Sequence, residues 1–254
     1  MFATDETLKA KKGIAWLISL AALMALIAIG LAVAFAINSA SHPHIFAAQN
    51  DKEAIEAASS NKPTVTNATT QVINLVGLMS LSAEDAVQKI GHCAAVQYEA
   101  PMSSVGFTNE ETVVLTEEKG DALSGTPTVT LGFDGNGTVA AASYSAPTSL
   151  LGYGNLSFSD AVEEFHIVEN LLGKVGLSGV EEGSVTLPDR KEYSSYGPDR
   201  KTLTSETYTF SGSAQSGDLP YSWTVTLTYD YDEANSTGNL ANTVKKVAVS
   251  IMRE

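Results

Sequence analysis

The sequence predicts an α+β protein: a single N-terminal transmembrane helix, then two tandem units that each consist of a helix and an antiparallel meander. Three observations predict this class. Residues 13–37 form one uncharged apolar run, a helix-start pattern at 81–90 recurs at 156–165, and runs of β-branched residues follow each copy. Helical spacing, then alternating β-branched runs with turn residues between them, are typical of helices and strands respectively.

The apolar run is long enough to cross a bilayer. It contains 25 residues, and a helix of that length spans a hydrocarbon core of roughly 30 Å. Lys9, Lys11 and Lys12 directly precede it, whereas no Lys or Arg follows until Lys52. Because positive charge marks the cytoplasmic side, residues 1–12 are predicted to be cytoplasmic and the rest of the chain extracytoplasmic.

A cleavable signal peptide is the alternative interpretation of the same run. The apolar part of a signal peptide is about 7–15 residues long, which favours an uncleaved anchor here. Both interpretations place the remainder of the chain outside the cytoplasm. The predicted location is therefore the cell membrane, with one span and an extracytoplasmic C-terminal domain.

Composition limits the partners and the means of stabilisation. Residues 38–77 are rich in Ser, Ala, Asn and Thr, which indicates a stalk that separates the folded part from the membrane. The formal net charge is −14, so nucleic acid is not an expected partner. Cys93 is the only cysteine and cannot form an internal disulfide, so a hydrophobic core must stabilise the fold.

The repeated pattern is a helix start. Leu-Ser-x-x-Asp-Ala-Val occurs at residues 81–87 and again 75 positions later. Its Ser side chain can cap a free amide, and the Asp suits the positive end of the helix dipole. In the second copy, apolar residues fall on one face at helical spacing, and Gly176 ends the helix. They are Ala161, Val162, Phe165, Val168, Leu172 and Val175. The first copy has Ala86, Val87, Ile90, Ala94 and Gln97 at matching steps, and Gly91 weakens its helix.

β-branched runs follow both helices. The sequence Asp-Gly-Asn-Gly at 134–137 predicts a hairpin turn. Residues 128–134 resemble residues 224–230 at a spacing of 96, which predicts that about 21 residues are inserted in the second unit. The predicted strands are 112–117, 128–133 and 138–145 in the first unit (78–147), and 183–187, 203–211, 221–231 and 244–252 in the second (148–254).

This order of elements resembles the small helix-on-sheet modules of the PepSY and β-lactamase-inhibitor-protein (BLIP-like) type, which often occur in tandem outside the cell. The resemblance covers residues 80–254 and depends on the element order and the repeat. It implies a binding or inhibitory module, and it assigns no role to any individual residue.

The best candidate for a partner contact is the inserted hairpin at 188–211. Pro-Asp-Arg-Lys occurs there twice, at 188–191 and 198–201, with two tyrosines between. Exposed loops on a rigid scaffold often carry function, and Tyr and Arg are common at protein contacts. A hairpin with two similar turns is the simpler alternative. The candidate contact residues are Arg190, Lys191, Tyr193, Tyr196, Arg200 and Lys201.

No residue set indicates catalysis, a cofactor or a metal. Residues 176–180 lack the last Gly of a nucleophile elbow, and His92 and Cys93 are adjacent and would point apart on a helix. His42 and His44 have no further ligands nearby, and the acidic residues Asp230 and Asp232 lack EF-hand spacing for calcium.

We therefore predict a non-enzymatic, membrane-anchored binding or regulatory protein. Its expected partners are the membrane, through residues 13–37, and an extracytoplasmic protein or envelope component. An envelope-structural protein is the first alternative, and a secreted or tethered hydrolase is the second.

Overall fold

The computed structural model describes residues 64–91, 95–101, 107, 109–115 and 125–254. The predicted cytoplasmic segment, the transmembrane helix, most of the stalk and Cys93 lie outside these ranges. Within them, no helix is both long and apolar enough to cross a membrane.

The α+β class with an antiparallel sheet is confirmed. Eight strands form one sheet in the order β1-β2-β3-β4-β8-β7-β6-β5, and all neighbours are antiparallel. The strands are β1 (Ala95–Pro101), β2 (Asn109–Val114), β3 (Thr128–Phe133), β4 (Val139–Pro147), β5 (Ser194–Tyr196), β6 (Leu203–Ser216), β7 (Leu219–Asp230) and β8 (Val244–Arg253).

The two halves of the chain meet at the centre of this sheet. β4 pairs with β8 over seven residue pairs, from Ala141↔Met252 to Pro147↔Lys246. Read inwards from either edge, the strands follow in chain order: β1 to β4 from one edge, and β5 to β8 from the other. The predicted units 78–147 and 148–254 therefore share one continuous sheet.

The first repeated helix begins as predicted and ends early. Helix α1 (Ala83–Ile90) starts where the Ser82 hydroxyl accepts a hydrogen bond from the Asp85 amide at 3.2 Å. The expected extension through Gln97 is wrong, since Gly91 ends the helix at φ +66° and Gln97 lies in β1. A glycine in this conformation is a common helix end.

The second repeated helix is interrupted. The Ser157 hydroxyl accepts from the Asp160 amide at 3.1 Å, as predicted, and a π-helix then runs over Asp160–Glu164. His166 adopts a left-handed conformation (φ +47°) before α2 (Ile167–Lys174) begins. One continuous helix was the wrong prediction, but the apolar face that it identified is buried except for Phe165, which is partly buried. The members with no exposed surface are Ala161, Val162, Val168, Leu172 and Val175.

The helices cover one face of the sheet, and hydroxyl side chains line the other. On the helix side, Leu131, Tyr144, Val249 and Leu227 belong to the main core and have no more than 1% exposure. On the opposite side, one register row crosses six adjacent strands and carries only hydroxyl residues. That row is Thr112, Thr130, Ser143, Ser250, Thr224 and Ser211.

Hydroxyl contacts join some of these strands directly. The Ser250 hydroxyl donates to that of Ser143 at 2.9 Å across the central pair, and the Thr112 and Thr130 hydroxyls lie 3.3 Å apart. Phe107 packs on the same face, 3.3 Å from where a Cβ on Gly132 would stand. A buried polar group needs such partners, so these contacts stabilise the central strands.

The expected strand at 183–187 is not a strand. The Val185 amide instead donates to the Glu169 carboxylate at 3.0 Å, and this bond ties the segment to α2. β1 and β5, which sequence reasoning did not predict, form the two outer edges of the sheet.

Truncation of two equivalent helix valines tests how the two halves contribute to the core. Val162 is fully buried, whereas Val87 is only partly buried. We expect Val162→Ala to lower the free energy of unfolding by about 1–3 kcal/mol. Val87→Ala should cost less than half as much, because its side chain already contacts solvent. Urea melts measure both changes, with the exposed Gln88→Ala and Glu163→Ala as controls that should shift stability by under about 0.5 kcal/mol. A larger loss for Val87→Ala than for Val162→Ala would contradict this packing.

Candidate functional site

The predicted contact residues lie on one outer edge of the sheet. We call residues 188–206 the edge hairpin. It contains the short helix α3 (Arg190–Tyr193), strand β5, a turn at 197–202 and the beginning of β6. The edge hairpin is therefore an extension of the sheet, and a rigid scaffold holds it.

A buried carboxylate anchors the edge hairpin to the end of β7. Glu206 is 6% exposed, and the Tyr231 hydroxyl donates to its Oε2 at 2.6 Å. The Arg190 guanidinium lies 3.4 Å from Oε1. Burial, followed by the bond to this carboxylate, raises the pKa of Tyr231 well above its usual value. Tyr231 consequently remains a hydrogen-bond donor throughout the physiological pH range.

Tyr193 belongs to this anchor and does not lie on the surface. It is 9% exposed, and its ring stacks on Phe158 at 5.0 Å between centroids. Phe158 in turn packs edge-on against Tyr229 at 5.4 Å. Tyr193 thus fixes the edge hairpin to the start of the second repeated helix, and a partner could not reach most of its surface.

The turn at 197–202 is organised by Asp199. Its carboxylate accepts the backbone amides of Lys201 and Thr202, each at 3.0 Å, and the Thr202 hydroxyl at 2.6 Å. The Thr202 hydroxyl first, and then the two amides, lower the pKa of Asp199 to about 2. Between these partners, Arg200 takes a left-handed conformation with φ +57°. The turn therefore presents Arg200 and Lys201 on an ordered backbone.

Five of the six candidate contact residues are exposed. The Arg190 side chain is 62% exposed, Lys191 is 77% exposed and lies 3.1 Å from Asp189, and Tyr196 is 46% exposed. Arg200 and Lys201 are also exposed. Exposed cationic side chains can bind carboxylate or carbonyl groups on another protein, and an exposed aromatic ring in the same hairpin adds apolar contact area.

The structure offers other buried polar groups away from this edge. The ammonium of Lys245 donates to the carbonyls of Gly154 and Leu156 at 2.8 and 2.7 Å, and burial lowers its pKa. Glu110 is 1% exposed, neither of its carboxylate oxygens has a hydrogen-bond partner among the residues that the structure describes, and burial raises its pKa. Lys245 holds a loop against the sheet, so its role is structural.

Among the described residues, no group of three His, Cys, Asp or Glu side chains is placed to hold a metal ion. The Asp230 carboxylate accepts the Asp232 amide at 2.9 Å, in a turn that starts helix α4 (Asp232–Thr237). His42, His44 and Cys93 lie outside the described ranges.

Sequence reasoning missed two features of this edge. It did not identify Glu206 and Tyr231 as hydrogen-bond partners, because these residues are 25 positions apart in the chain. It also missed that β6 extends well beyond β5. The absence of any charged residue from 207 to 216, in a chain with a net charge of −14, was the available signal.

Comparisons with known proteins add no relative. No protein-family model, curated protein or solved structure matches the chain.

Removal of the Thr202 hydroxyl should raise the pKa of Asp199. We expect Thr202→Val to raise the pKa of Asp199 from about 2 towards 3.8, because the hydroxyl is the largest cause of the shift. NMR titration of the Asp199 carboxyl measures it. Thr204→Val is the matched control, since the Thr204 hydroxyl bonds to the Ser195 carbonyl and not to Asp199. An unchanged pKa in Thr202→Val would mean that the Thr202 hydroxyl does not bond to this carboxylate in solution.

Proposed function

We propose that this protein is a membrane-anchored, extracytoplasmic binding or regulatory protein, and that the edge hairpin contacts its protein partner. The observation that carries the proposal is the rigid, outward presentation of basic side chains by an acidic chain. Arg190, Lys191, Arg200 and Lys201 are exposed in the same edge hairpin as Tyr196, and the buried Glu206 anchors this hairpin.

The anchoring supports recognition because it lowers the entropic cost of binding. Tyr193 and Glu206 hold the base of the edge hairpin, and Asp199 holds its tip. A preorganised surface loses less conformational freedom when a partner binds. Arg190 and Lys191 pair with Glu206 and Asp189, whereas Arg200 and Lys201 form no ion pair within the described part of the chain and can bind acidic groups of a partner.

The topology supports the hypothesis of two tandem units as well. Thr130 and Thr226 are 96 positions apart, and the 3.3 Å contact of Thr112 with Thr130 has its counterpart in the 2.9 Å contact of Thr209 with Thr226. In the central pair, a shift of 105 positions equates Ser143 with Ala248 and Ser145 with Ser250. The pair Ser143↔Ser250 then becomes the pair Ser145↔Ala248, and the reverse. A local two-fold axis through the central strand pair would produce this pattern. Tandem modules of the PepSY or BLIP-like type have the same element order within each unit, which is why we retain that resemblance as a hypothesis.

The membrane anchor itself is proposed from the sequence. The apolar run 13–37 has the length and flanking charges of a single span, and it would hold the sheet outside the membrane. An envelope-structural role is the second candidate, and it predicts association with bulk wall material or self-association in place of a discrete partner.

Capture from membranes with a charge-reversed variant tests the proposal. The full chain is solubilised from the cells that naturally produce it, and its bound proteins are identified. We expect a discrete extracytoplasmic protein whose recovery falls by about tenfold in Lys201→Glu, because repulsion replaces attraction.

Lys174→Glu is the matched control, since Lys174 is also exposed but lies at the end of α2. Its capture should equal that of the wild type. Recovery of wall material alone, or equal loss in both variants, would argue against a contact at the edge hairpin.

A further inference from the structure

The edge of β6 is open over eight residues. β5 pairs only with the first four residues of β6, from Leu203 to Glu206. At the other end, the Ser178 amide donates to the Gln215 carbonyl at 2.8 Å. Between these limits, none of the described residues pairs with residues 207–214 on the side away from β7. At about 3.4 Å per residue, this open edge is roughly 27 Å long.

The register identifies the backbone groups that face outwards. β6 pairs with β7 without a register shift from Ser205 to Ser216. Because the Gln215 carbonyl faces away from β7, so do the amides and carbonyls of every second residue before it. These residues are Thr207, Thr209, Ser211 and Ser213. The Thr204 carbonyl accepts the Tyr231 amide at 2.9 Å on the β7 side, which confirms the alternation.

The first half of the chain shows what can occupy this position. Thr112 of β2 corresponds to Thr209 of β6, since each makes the equivalent hydroxyl contact with the next strand. β1 pairs antiparallel with β2 from Asn109 to Val114, and these positions correspond to 206–211 of β6. In the second half, β5 contains three residues and lies beside 203–206 instead. No described residue therefore fills, in the second half, the place that β1 fills in the first.

Nothing in the strand protects this vacancy. Proteins usually block exposed edges with Lys, Pro, a bulge or a covering segment. Residues 207–216 read Thr-Tyr-Thr-Phe-Ser-Gly-Ser-Ala-Gln-Ser, without charge or proline, and the register has no bulge. The segment of this chain that connects α2 to the edge hairpin makes no hydrogen bond to residues 207–214. Ser178 bonds to Gln215, beyond the end of this stretch, and Val185 bonds to Glu169 of α2.

We propose that residues 207–214 of β6 accept an extended segment of the partner protein as an added antiparallel strand. Strand addition uses main-chain hydrogen bonds for affinity, and the free groups on β6 are main-chain groups. A second copy of this sheet fits poorly, because its own β6 continues into β7 and would meet β5 and Ser178 at the ends of the open edge. An extended segment that turns away from β6 at both ends of the open edge avoids both β5 and Ser178.

This proposal deepens the proposed function, and it rests on the existence of a protein partner. The test uses the full chain in its native membrane, with a benzophenone amino acid placed at Thr207 in one sample and at Ser213 in another. Both side chains are exposed. Crosslinked peptides are then mapped by mass spectrometry. Antiparallel addition places the Thr207 crosslink about six residues C-terminal to the Ser213 crosslink in one segment of the partner.

Proline variants test the dependence on the backbone. Thr209→Pro and Ser211→Pro each remove an outward amide and leave the bonds to β7 intact, a position that edge strands tolerate. We expect each to lower the crosslink yield by about tenfold. Thr209→Val and Ser211→Val retain the amide and should crosslink as the wild type does; Thr209→Val also controls for loss of the hydroxyl contact with Thr226. Circular dichroism establishes that each variant is folded, and two independent positions guard against failure of one.

Several results would overturn the proposal: no crosslink, a crosslink to a second copy or to residues 175–189, crosslinks in parallel order, or equal yields in folded proline and valine variants. If Lys201→Glu abolishes capture while the proline variants capture normally, the binding function stands and strand addition does not. Loss of yield in the proline variants alone would place the contact on β6 rather than on the edge hairpin.

Discussion

The antiparallel pairing of β4 with β8 is the interaction on which the other parts of the structure depend. It joins residues 99 to 111 positions apart and places both repeated helices on the same face of one sheet. Tyr144 and Val249 meet on the helix side of this pair, whereas Ser143 and Ser250 bond on the other side at 2.9 Å. Without this pairing, each half would expose a long central strand, and the shared core would divide.

The same arrangement explains why the two outer edges differ. Strands added outwards from a symmetric centre produce equivalent positions, and β1 occupies the outermost position in the first half. In the second half, the chain uses that stretch for α3, the short β5 and an ordered turn. The edge hairpin therefore carries exposed basic residues at the point where the regular sheet is incomplete, and β6 is left with open backbone beside it.

Local signals in the sequence predicted much of the fold. The caps at Ser82 and Ser157, the strand at 128–133 and the turn at 134–137 each depend on residues close in the chain, and each is confirmed. The π turn left no such signal, because the helical spacing of apolar residues continues across it from 161 to 175. β5 is too short for a periodic pattern, and the helical spacing of residues 94 and 97 obscured β1.

The candidate site was predicted in part for the same reason. The duplicated Pro-Asp-Arg-Lys motif identified the exposed residues, of which Arg200 and Lys201 lie at an ordered tip. It could not reveal that Tyr193 is buried against Phe158, or that Glu206 bonds with Tyr231, since both contacts depend on the assembled sheet. The open edge of β6 likewise depends on how far β5 extends along it, which only the assembled sheet shows.

Native-state hydrogen exchange of the full chain, measured as a function of denaturant, tests the central claim most directly. If β4 and β8 join both halves into one cooperative unit, the slowest amides of β3 and β7 will open with the same free energy and the same dependence on denaturant. Opening of β3 at a much lower free energy, with a smaller denaturant dependence than that of β7, would show two separately stable units and contradict the account.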